Sequence, residues 1–425
     1  MILFVVMFLL VFVGVPIAFA MGAASVLQLL LTSDVSQLAW VPKKMVEGLA
    51  SFPLLAVPFF ILAAELMNSA GIAERIFRFA HALAGSVRGG LGQVNIVGSV
   101  IFSGMSGSAI ADTAGLGKLE IKAMKDEGYD APFAAAITAA SATVGPIIPP
   151  SIPLVIYGVI AEESVAKLLI AGTIPGVLIA IVLAMVVYWR ARQRNYPRHG
   201  TFSLRRIMGA FKQAFLALMT PVILIGGILT GWFTPTEAAI VGATYALGLT
   251  VFVYRELSLR ELWEVFIRAG VESGKVLIIV CMAYPVTLVL TAMELPQQFV
   301  RFFVDLSDSK FVFLILTNLV LLVLGCVMES VSALIIVVPL LLAAAQQFGV
   351  DPIHFGVIVV MNLMIGLITP PFGLNIFITC QIAGIRQGAF VREAVPFYIV
   401  LLAALAVVTF VPSLSTWLPA YAFSR

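Results

Sequence analysis

The sequence predicts an all-α polytopic membrane protein built on an inverted repeat, with two re-entrant helical hairpins and two broken transmembrane helices. Three observations predict it. Of the 425 residues, 61% are apolar and only 11% are charged, whereas soluble domains carry roughly 25% charged residues. Apolar stretches near the ~20-residue length of a membrane span recur along the chain. Glycine and proline interruptions recur inside those stretches at one constant spacing.

Composition also excludes several classes of protein. With a mean hydropathy of +1.09, the chain has too few polar groups to cover a globular core, which excludes a soluble enzyme, a disordered scaffold and a nucleic-acid binder. The net charge of +3 is too small to indicate a polyanionic partner. Cys281, Cys326 and Cys380 stand apart without CxxC spacing, so we expect buried thiols and no metal or disulfide framework.

The N-terminal region, residues 1–70, is predicted to supply scaffold spans. Residues 2–31 form one long apolar run, interpreted as a single retained span, and a second span follows the charged segment 32–51 at residues 52–70. Residues 72–88 alternate apolar and basic positions at helical spacing, which is typical of an amphipathic helix lying in the membrane interface.

The first repeat is assigned to residues 71–190. Residues 91–117 are apolar with a break at SGMSGS near the centre, and each arm of about 13 residues rises about 20 Å, too short to cross the bilayer. A re-entrant hairpin is therefore predicted there. Residues 131–161 would cross fully, at about 45 Å of helix. The prolines of GPIIPPSIP at 145–153 lack the N–H for helical bonds, so this helix must unwind.

The rest of the chain contains a second interrupted pair. A basic segment, RARQRNYPRHGTFSLRR, begins at Arg190, and Glu237 follows Thr234-Pro235 as a helix-capping residue does. The remaining assignments are a cytoplasmic loop with scaffold spans at 191–270, the second repeat at 271–395 with hairpin 311–345 and broken helix 353–383, and a C-terminal span at 396–425.

An internal repeat is visible at a constant offset of 221 residues. The register holds without a gap from residue 104 to residue 371. Chance pairing of single glycines or prolines is common, but one shared register for all of them is not. The matched pairs are Gly104 with Gly325, Gly128 with Gly349, Asp130 with Asp351, Gly145 with Gly366, Pro149 with Pro370, and Pro150 with Pro371.

Charge indicates that the two copies are inverted. Lys118, Lys122 and Lys125 follow the first hairpin, whereas the matching segment 340–351 carries no lysine or arginine. Because lysine and arginine favour cytoplasmic loops, the first segment is predicted inside, together with the arginines of 190–206, and the second outside. Inverted repeats with interrupted helices are typical of secondary transporters, whose binding sites lie at the matching breaks.

The breaks predict oxygen ligands. In hydrocarbon a freed carbonyl needs a partner or a water-lined cavity, and the prolines free carbonyls around residues 145–148 and 366–369. Together with the hydroxyls of Ser103, Ser106 and Ser108, these oxygens suit a small hard monovalent cation such as Na⁺. The N-termini of the half-helices attract an anion. An anionic substrate bound together with cations is therefore predicted.

Further polar residues lie at the hairpin tips or flank the breaks. Intramembrane carboxylates are costly and mark functional sites, although Asp112 could instead pin its hairpin arm through hydroxyls. The amides and hydroxyls could equally join neighbouring helices. The candidate substrate-binding residues are Ser108, Asp112, Ser141, Thr143, Glu329, Asn362 and Asn375.

Three segments resemble the large membrane subunit of tripartite ATP-independent periplasmic (TRAP) transporters: SGMSGSAIADTAG, TVGPIIPPSIPLVIYG and GLITPPFGLNIFI. The resemblance covers essentially the whole chain. It implies an elevator-type fold like that of the ion-transporter superfamily, in the bacterial inner membrane. It also implies a separate small four-helix membrane subunit, a periplasmic substrate-binding protein, and import of an organic acid such as sialic acid or a C4-dicarboxylate with Na⁺.

The resemblance also implies ligand sets, with the substrate between the two hairpin tips. The first Na⁺ site would comprise Ser103 and Ser106 with the backbone of Gly145, Ile148 and Pro150, and the second would comprise Gly325, Gly366 and Thr369. An alternative function is a stand-alone Na⁺-coupled anion or dicarboxylate carrier without partner subunits. An intramembrane enzyme is disfavoured, because no histidine or cysteine is placed to form a nucleophile–base pair or a metal site.

Overall fold

The chain is helical throughout the part described by the computed structural model, which comprises residues 2–32, 38–196 and 203–424. Asp34 and Arg198, counted above among the charged segments, lie outside these residues. Eight helical stretches of the described chain are long and apolar enough to cross a membrane. The predicted all-α membrane fold is thereby confirmed.

The N-terminal apolar run forms two antiparallel helices and not the single span predicted for residues 2–31. Helix α1 ends at Phe12 and α2 begins at Ile17. Between them Gly14 has a φ of 96°, a left-handed conformation that suits glycine, and Pro16 cannot continue the hydrogen bonding of α1. The backbone N–H of Leu3 donates to Oε1 of Gln28 at 3.0 Å. This hydrogen bond joins the start of α1 to the last turn of α2. The first five helices are α1 (Ile2–Phe12), α2 (Ile17–Leu31), α3 (Trp40–Leu49), α4 (Ala56–Ser69) and α5 (Ile72–Ala84).

The first repeat contains hairpin 1 and the first broken helix. The second arm of hairpin 1 continues to Asp126, beyond the predicted end at residue 117, because Ile121 and Met124 are buried on one face while Lys118 and Lys122 remain exposed on the other. The helices are α6 (Gly90–Ser106), α7 (Ala109–Ala114), α8 (Leu116–Asp126), α9 (Ala131–Ala142), α10 (Ile152–Ile160), α11 (Val165–Ala171) and α12 (Thr173–Gln193).

Four helices connect the repeats. Glu237 forms a capping box with Thr234, as the sequence predicted: the Glu237 carboxylate accepts the backbone N–H of Thr234 at 2.8 Å, and the Thr234 hydroxyl accepts the N–H of Glu237 at 3.3 Å. The helices are α13 (Leu204–Leu229), α14 (Pro235–Gly248, continued as a π-helix to Tyr254), α15 (Leu259–Ala292) and α16 (Leu295–Leu306).

The second repeat reproduces the first at the same offset. Its hairpin 2 has its tip at Met328–Glu329, and the turns after the two hairpins both use a left-handed glycine, Gly128 with a φ of 82° and Gly349 with a φ of 65°. The helices are α17 (Lys310–Val327), α18 (Ser330–Gln347), α19 (Pro352–Gly366), α20 (Leu374–Ala383), α21 (Gln387–Phe410) and α22 (Ser413–Ala422).

Reciprocal contacts show that the copies are antiparallel. The Tyr157 hydroxyl, near the end of the first broken helix, donates to the carbonyl of Pro352 at 2.7 Å. Pro352 is the first residue of the second broken helix. At the other end of the bundle, Nζ of Lys125 donates to the carbonyl of Ala383, where the second broken helix ends, at 3.0 Å. We call the end with Lys125 the basic side. Both broken helices run through the centre, with residues 133–142 and 354–366 all buried.

Candidate functional site

The tip of hairpin 1 packs directly on the first unwound segment. Gly107, in the left-handed region with a φ of 59°, accepts the N–H of Ile152 through its carbonyl at 3.4 Å. A Cβ at Gly107 would lie 2.6 Å from the carbonyl oxygen of Pro150. Only glycine fits both the conformation and this approach. The hairpin tip and the break in α9–α10 therefore form one continuous patch of backbone.

The two tips are capped at equivalent positions by different side chains. Ser108 and Glu329, 221 residues apart, each occupy the N-cap of a hairpin's second arm. The Ser108 hydroxyl accepts the N–H of Ala111 at 3.3 Å. The Glu329 carboxylate accepts the N–H groups of Val331 at 2.9 Å and Ser332 at 3.2 Å. Each side chain thus satisfies helix N–H groups that would otherwise lack a partner.

The predicted ligands of the first break come from hairpin 1 and from the unwound segment, and their contacts differ. The Ser103 hydroxyl donates to the carbonyl of Val100 at 2.6 Å, whereas the fully buried Ser106 hydroxyl has no hydrogen-bond partner among the described residues. A Cβ at Gly145 would lie 3.7 Å from the backbone of Ser108. The side chain of Ile148, whose backbone is the predicted ligand, packs against Gly176 of α12. A buried hydroxyl without a partner is a feature that a bound ion or water would explain.

The second break is built on a glycine contact. A Cβ at Gly325 would lie 3.1 Å from the Cα of Gly366, so α17 and α19 meet through their backbones. Thr369 donates its hydroxyl to the carbonyl of Ile365 at 2.7 Å and its N–H to the carbonyl of Gly366 at 2.9 Å. The Thr369 hydroxyl oxygen keeps its lone pairs available, as a cation ligand requires.

A cavity of about 1150 Å³ lies between the two hairpin tips. Ser106 and Ser108 line it from hairpin 1, and Glu329 lines it from hairpin 2. Its remaining wall extends along α8, α4 and α15 towards the basic side. The volume is large enough for a small organic molecule.

Basic side chains that sequence reasoning did not assign to a site line this cavity. Arg268 is paired with Glu65 at 3.3 Å, and Lys275 with Glu272 at 2.6 Å. Lys118 and Lys122 also line the cavity and form no ion pair among the described residues. Their spacing of four residues places them on one helix face. This spacing is visible in the sequence, where it predicts orientation but does not by itself indicate a cavity.

Four predicted substrate residues lie outside the cavity wall. The Ser141 hydroxyl donates to Oδ1 of Asn95 at 2.6 Å, joining α9 to hairpin 1. The Asn362 amide donates to Oδ1 of Asn318 at 2.6 Å, joining α19 to hairpin 2. Because Ser141 and Asn362 are equivalent in the repeat, both breaks are held to their hairpins in the same way. The other two are Thr143, whose hydroxyl donates to the carbonyl of Ala140 at 2.6 Å, and Asn375, whose buried amide has no partner within the described chain.

Asp112, the remaining predicted substrate residue, also lies outside the cavity wall. It is 1% exposed, and neither of its carboxylate oxygens has a hydrogen-bond partner in the described part of the chain. Its substrate role stays a prediction.

Comparison with known proteins identifies the family. The family model of the tripartite ATP-independent periplasmic transporter, DctM component, matches residues 4–414. The chain belongs to the DctM family. It is therefore a permease of a multi-pass membrane transporter family, which is not a family of enzymes.

Relatives of this DctM-family chain carry names of different substrates. The sialic acid TRAP transporter large permease protein SiaM of Vibrio cholerae is 44% identical over 96% of each chain. The sialic acid TRAP transporter permease protein SiaT of Haemophilus influenzae is 42% identical over 97% of this chain and 67% of its own length. The C4-dicarboxylate TRAP transporter large permease protein DctM of Pseudomonas aeruginosa is 39% identical over 88% of each chain.

A solved structure shares the fold. The Alcanivorax borkumensis YdaH transporter, whose topology is described as unusual, superposes with a TM-score of 0.64 over 91% of each chain at 14% sequence identity. At this identity the likeness concerns the fold alone.

Proposed function

We propose that this DctM-family chain is the large transmembrane subunit of a Na⁺-coupled secondary transporter that imports an organic acid anion of the sialic acid or C4-dicarboxylate class. A periplasmic binding protein delivers the anion, and a small four-helix membrane subunit completes the permease in the bacterial inner membrane. The names of the relatives support the substrate class. The cavity between the two hairpin tips is the observation that carries the proposal.

The charge of the cavity supports an anionic substrate. Lys118 and Lys122 stand without ion-pair partners among the described residues, while Arg268 and Lys275 have theirs. Glu74 and Glu329 line the cavity as well, but Glu74 pairs with Arg78 and Glu329 caps α18 at the tip of hairpin 2. The two lysines therefore form a local positive cluster on one wall, which attracts anions. The N-terminus of α7 at Ser108 adds its dipole at the same tip. The sequence alone offered no arginine near either break, and these lysines provide the missing positive charge.

The oxygens at the two breaks support Na⁺ coupling. Ser106 supplies a buried hydroxyl without a partner, and Thr369 supplies a hydroxyl whose proton is directed to its own helix. At the second break Pro370 and Pro371 lack the N–H groups that would be the helical partners of the carbonyls of residues 366 and 367. Each carbonyl of residues 366–369 accepts one hydrogen bond and keeps a second lone pair for a cation. A cation bound at each break would neutralise part of the substrate charge, so that anion and cations bind more strongly together than separately.

The packing of the hairpins on the broken helices supports an elevator movement. Both hairpins pack on the broken helices through backbone contacts, as at Gly107 with Pro150 and Gly325 with Gly366. These elements would move as one body against scaffold helices such as α4 and α15, which line the cavity from the other side. The cavity extends towards the basic side. If that side is cytoplasmic, as the charge distribution predicts, the described state faces inwards.

Reconstitution tests the function. The chain is placed in proteoliposomes alone, with a candidate small subunit, and with that subunit plus a soluble binding protein. Uptake of radiolabelled sialic acid and of succinate is then measured with and without an inward Na⁺ gradient. We expect Na⁺-dependent uptake of one acid only in the complete mixture. Uptake by the chain alone would instead establish the stand-alone carrier, and no Na⁺ dependence in any mixture would reject the coupling.

A further inference from the structure

Two carboxylates are buried inside hairpin 1 without a partner. Asp112 on α7 and Glu120 on α8 are each 1% exposed. None of their four carboxylate oxygens has a hydrogen-bond partner among the described residues. An unpaired buried carboxylate is strongly destabilising unless a positive charge or a proton compensates it. The described side chains do not supply that charge.

The two carboxylates converge on one turn of α6. A Cβ at Gly98 would lie 2.7 Å from Oε1 of Glu120, so the absence of a side chain at Gly98 makes room for this carboxylate. The neighbouring Ser99 faces the Asp112 carboxylate. The Ser99 hydroxyl also lies 3.1 Å from the hydroxyl of Ser141 on α9. Carboxylate oxygens from α7 and α8 and hydroxyl oxygens from α6 and α9 thus lie around residues 98–99.

The second repeat shows that the hairpin fold does not need these carboxylates. The positions equivalent to Asp112 and Glu120 are Ala333 and Leu341. Both are buried in hairpin 2, at 0% and 4% exposure. The same architecture is therefore stable with apolar groups at these two places. A costly pair of charges that the fold does not require indicates a functional role.

An unpartnered amide oxygen lies at the kink between the two helices that carry the carboxylates. Asn68 of α4 lies against Gly115, the kink between α7 and α8, where its Oδ1 would be 2.3 Å from a Cβ. This Oδ1 is buried and has no hydrogen-bond partner in the described chain. Both Asn68 and Gly115 line the cavity. The kink between the two carboxylate-bearing helices therefore borders the cavity.

We propose that Asp112 and Glu120 bind one Na⁺ inside hairpin 1, with the hydroxyl of Ser99 as a neutral ligand and a proton on one carboxyl group balancing the second charge. The ligands are hard oxygens, which excludes soft metals. Ca²⁺ takes six to eight oxygens, often with several carboxylates, and two carboxylates with one hydroxyl fall short of that number. The site is additional to the oxygens at the two breaks and goes beyond the proposed function.

Binding of ²²Na⁺ to the purified full-length chain in detergent tests the site. The variant Asp112→Ala/Glu120→Leu carries the residues of the second repeat. We expect it to bind one Na⁺ per chain fewer than the wild type while keeping its thermal midpoint in Na⁺-free buffer. The control Glu47→Gln/Glu264→Gln removes two carboxylates outside the cavity that already have basic partners. Its Na⁺ stoichiometry should equal that of the wild type.

Several results would overturn the site. An unchanged ²²Na⁺ stoichiometry in folded Asp112→Ala/Glu120→Leu rejects it, and if the pH dependence of uptake is lost at the same time, the pair holds a proton instead. Should that variant fail to fold, the isosteric Asp112→Asn/Glu120→Gln is measured in its place and must show the same loss. If Ser106→Ala lowers the Na⁺ stoichiometry and Asp112→Ala/Glu120→Leu does not, the proposed site is rejected. The Na⁺ coupling at the breaks is then supported. If the wild type binds no ²²Na⁺, both fail.

Discussion

A Cβ atom on Gly366 would lie 2.4 Å from the carbonyl carbon of Gly325. The two glycines bring α17 of hairpin 2 and the end of α19 into backbone contact, directly before α19 unwinds. A backbone neighbour cannot rotate away as a side chain can. Small residues permit such close approach between membrane helices, and only glycine on both sides permits it here.

Replacement of Gly366 by alanine should therefore disrupt the second break. We expect Gly366→Ala to lower the thermal midpoint of the detergent-purified protein by several degrees and to reduce uptake at least ~10-fold, because overpacking against backbone costs about 1–3 kcal/mol. Gly226→Ala, in α13, is the control, since nothing lies within 4 Å of a Cβ there. It should match the wild type. Wild-type stability and uptake in Gly366→Ala would show that the two helices can separate without loss.

The unpartnered hydroxyl of Ser106 yields a second prediction. Ser106→Ala should raise the Na⁺ concentration for half-maximal uptake by about 5–10-fold, because a lost polar ligand is worth roughly 1–1.5 kcal/mol. Thr113→Ala is the matched control: its buried hydroxyl lies in the same hairpin but donates to the carbonyl of Ala109 at 2.8 Å. The Na⁺ dependence of Thr113→Ala should be normal. The same Na⁺ dependence in both variants would remove Ser106 from the ion site.

The basic wall of the cavity yields a third. Neutralising both lysines in Lys118→Gln/Lys122→Gln should raise the KM for the anion by about 3–10-fold, with a smaller difference at high ionic strength, because exposed charges are screened by salt. Lys212→Gln, an exposed lysine on α13 outside the cavity, should leave the KM unchanged. Uptake assays at about 20 mM and about 300 mM choline chloride, with Na⁺ held constant, measure both effects. A KM difference between the wild type and the double variant that is the same at both salt concentrations would contradict an electrostatic role.

Arg194 joins three parts of the basic side. Its guanidinium donates to Asp130 at 2.9 Å and to Glu393 at 2.7 Å, and the hydrogen bond to Glu393 raises the pKa of the Arg194 side chain. The charge therefore persists at every pH used for transport. Arg194→Gln should lower the free energy of unfolding by about 1–2 kcal/mol, since it leaves a half-buried carboxylate unpaired. Arg78→Gln, which breaks an exposed pair with Glu74, should cost less than about 0.5 kcal/mol. Equal thermal midpoints for the two variants would contradict this difference.

Orientation is tested at the matched ends of the two hairpins. Asp126 ends α8 and Gln347 ends α18, at equivalent places in the repeat, and both are exposed. In intact cells an impermeant maleimide should label Gln347→Cys and not Asp126→Cys. The native protein should remain unlabelled, because Cys281, Cys326 and Cys380 are buried. Labelling of Asp126→Cys from outside would reverse the predicted topology.

Much of the fold could be predicted from local rules. Proline cannot donate a backbone hydrogen bond, so Pro149–Pro150 and Pro370–Pro371 mark the breaks in any environment. The hairpin arms are longer than the sequence predicted: α17 and α18, at 18 residues each, are among the stretches long enough to cross a membrane, so re-entry of the hairpins stays a prediction. The single span predicted for residues 2–31 is wrong, because Gly14 and Pro16 interrupt a segment whose composition is otherwise uniformly apolar. The predicted end of hairpin 1 at residue 117 is too early. The charged residues that follow belong to α8, one face of which is buried.

The sequence by itself determined the membrane character, the repeat, its breaks and the family, because hydropathy, backbone chemistry and spacing are properties of neighbouring residues along the chain. Only the tertiary structure decided that Lys118 and Lys122 line the same cavity as Ser108 and Glu329, and that Asp112 and Glu120 meet at one turn of α6. Glu329 reaches this cavity from the other copy of the repeat, so that grouping depends on how the inverted copies pack. Asp112 and Glu120 meet because α7 and α8 fold back on α6, which no local sequence rule specifies.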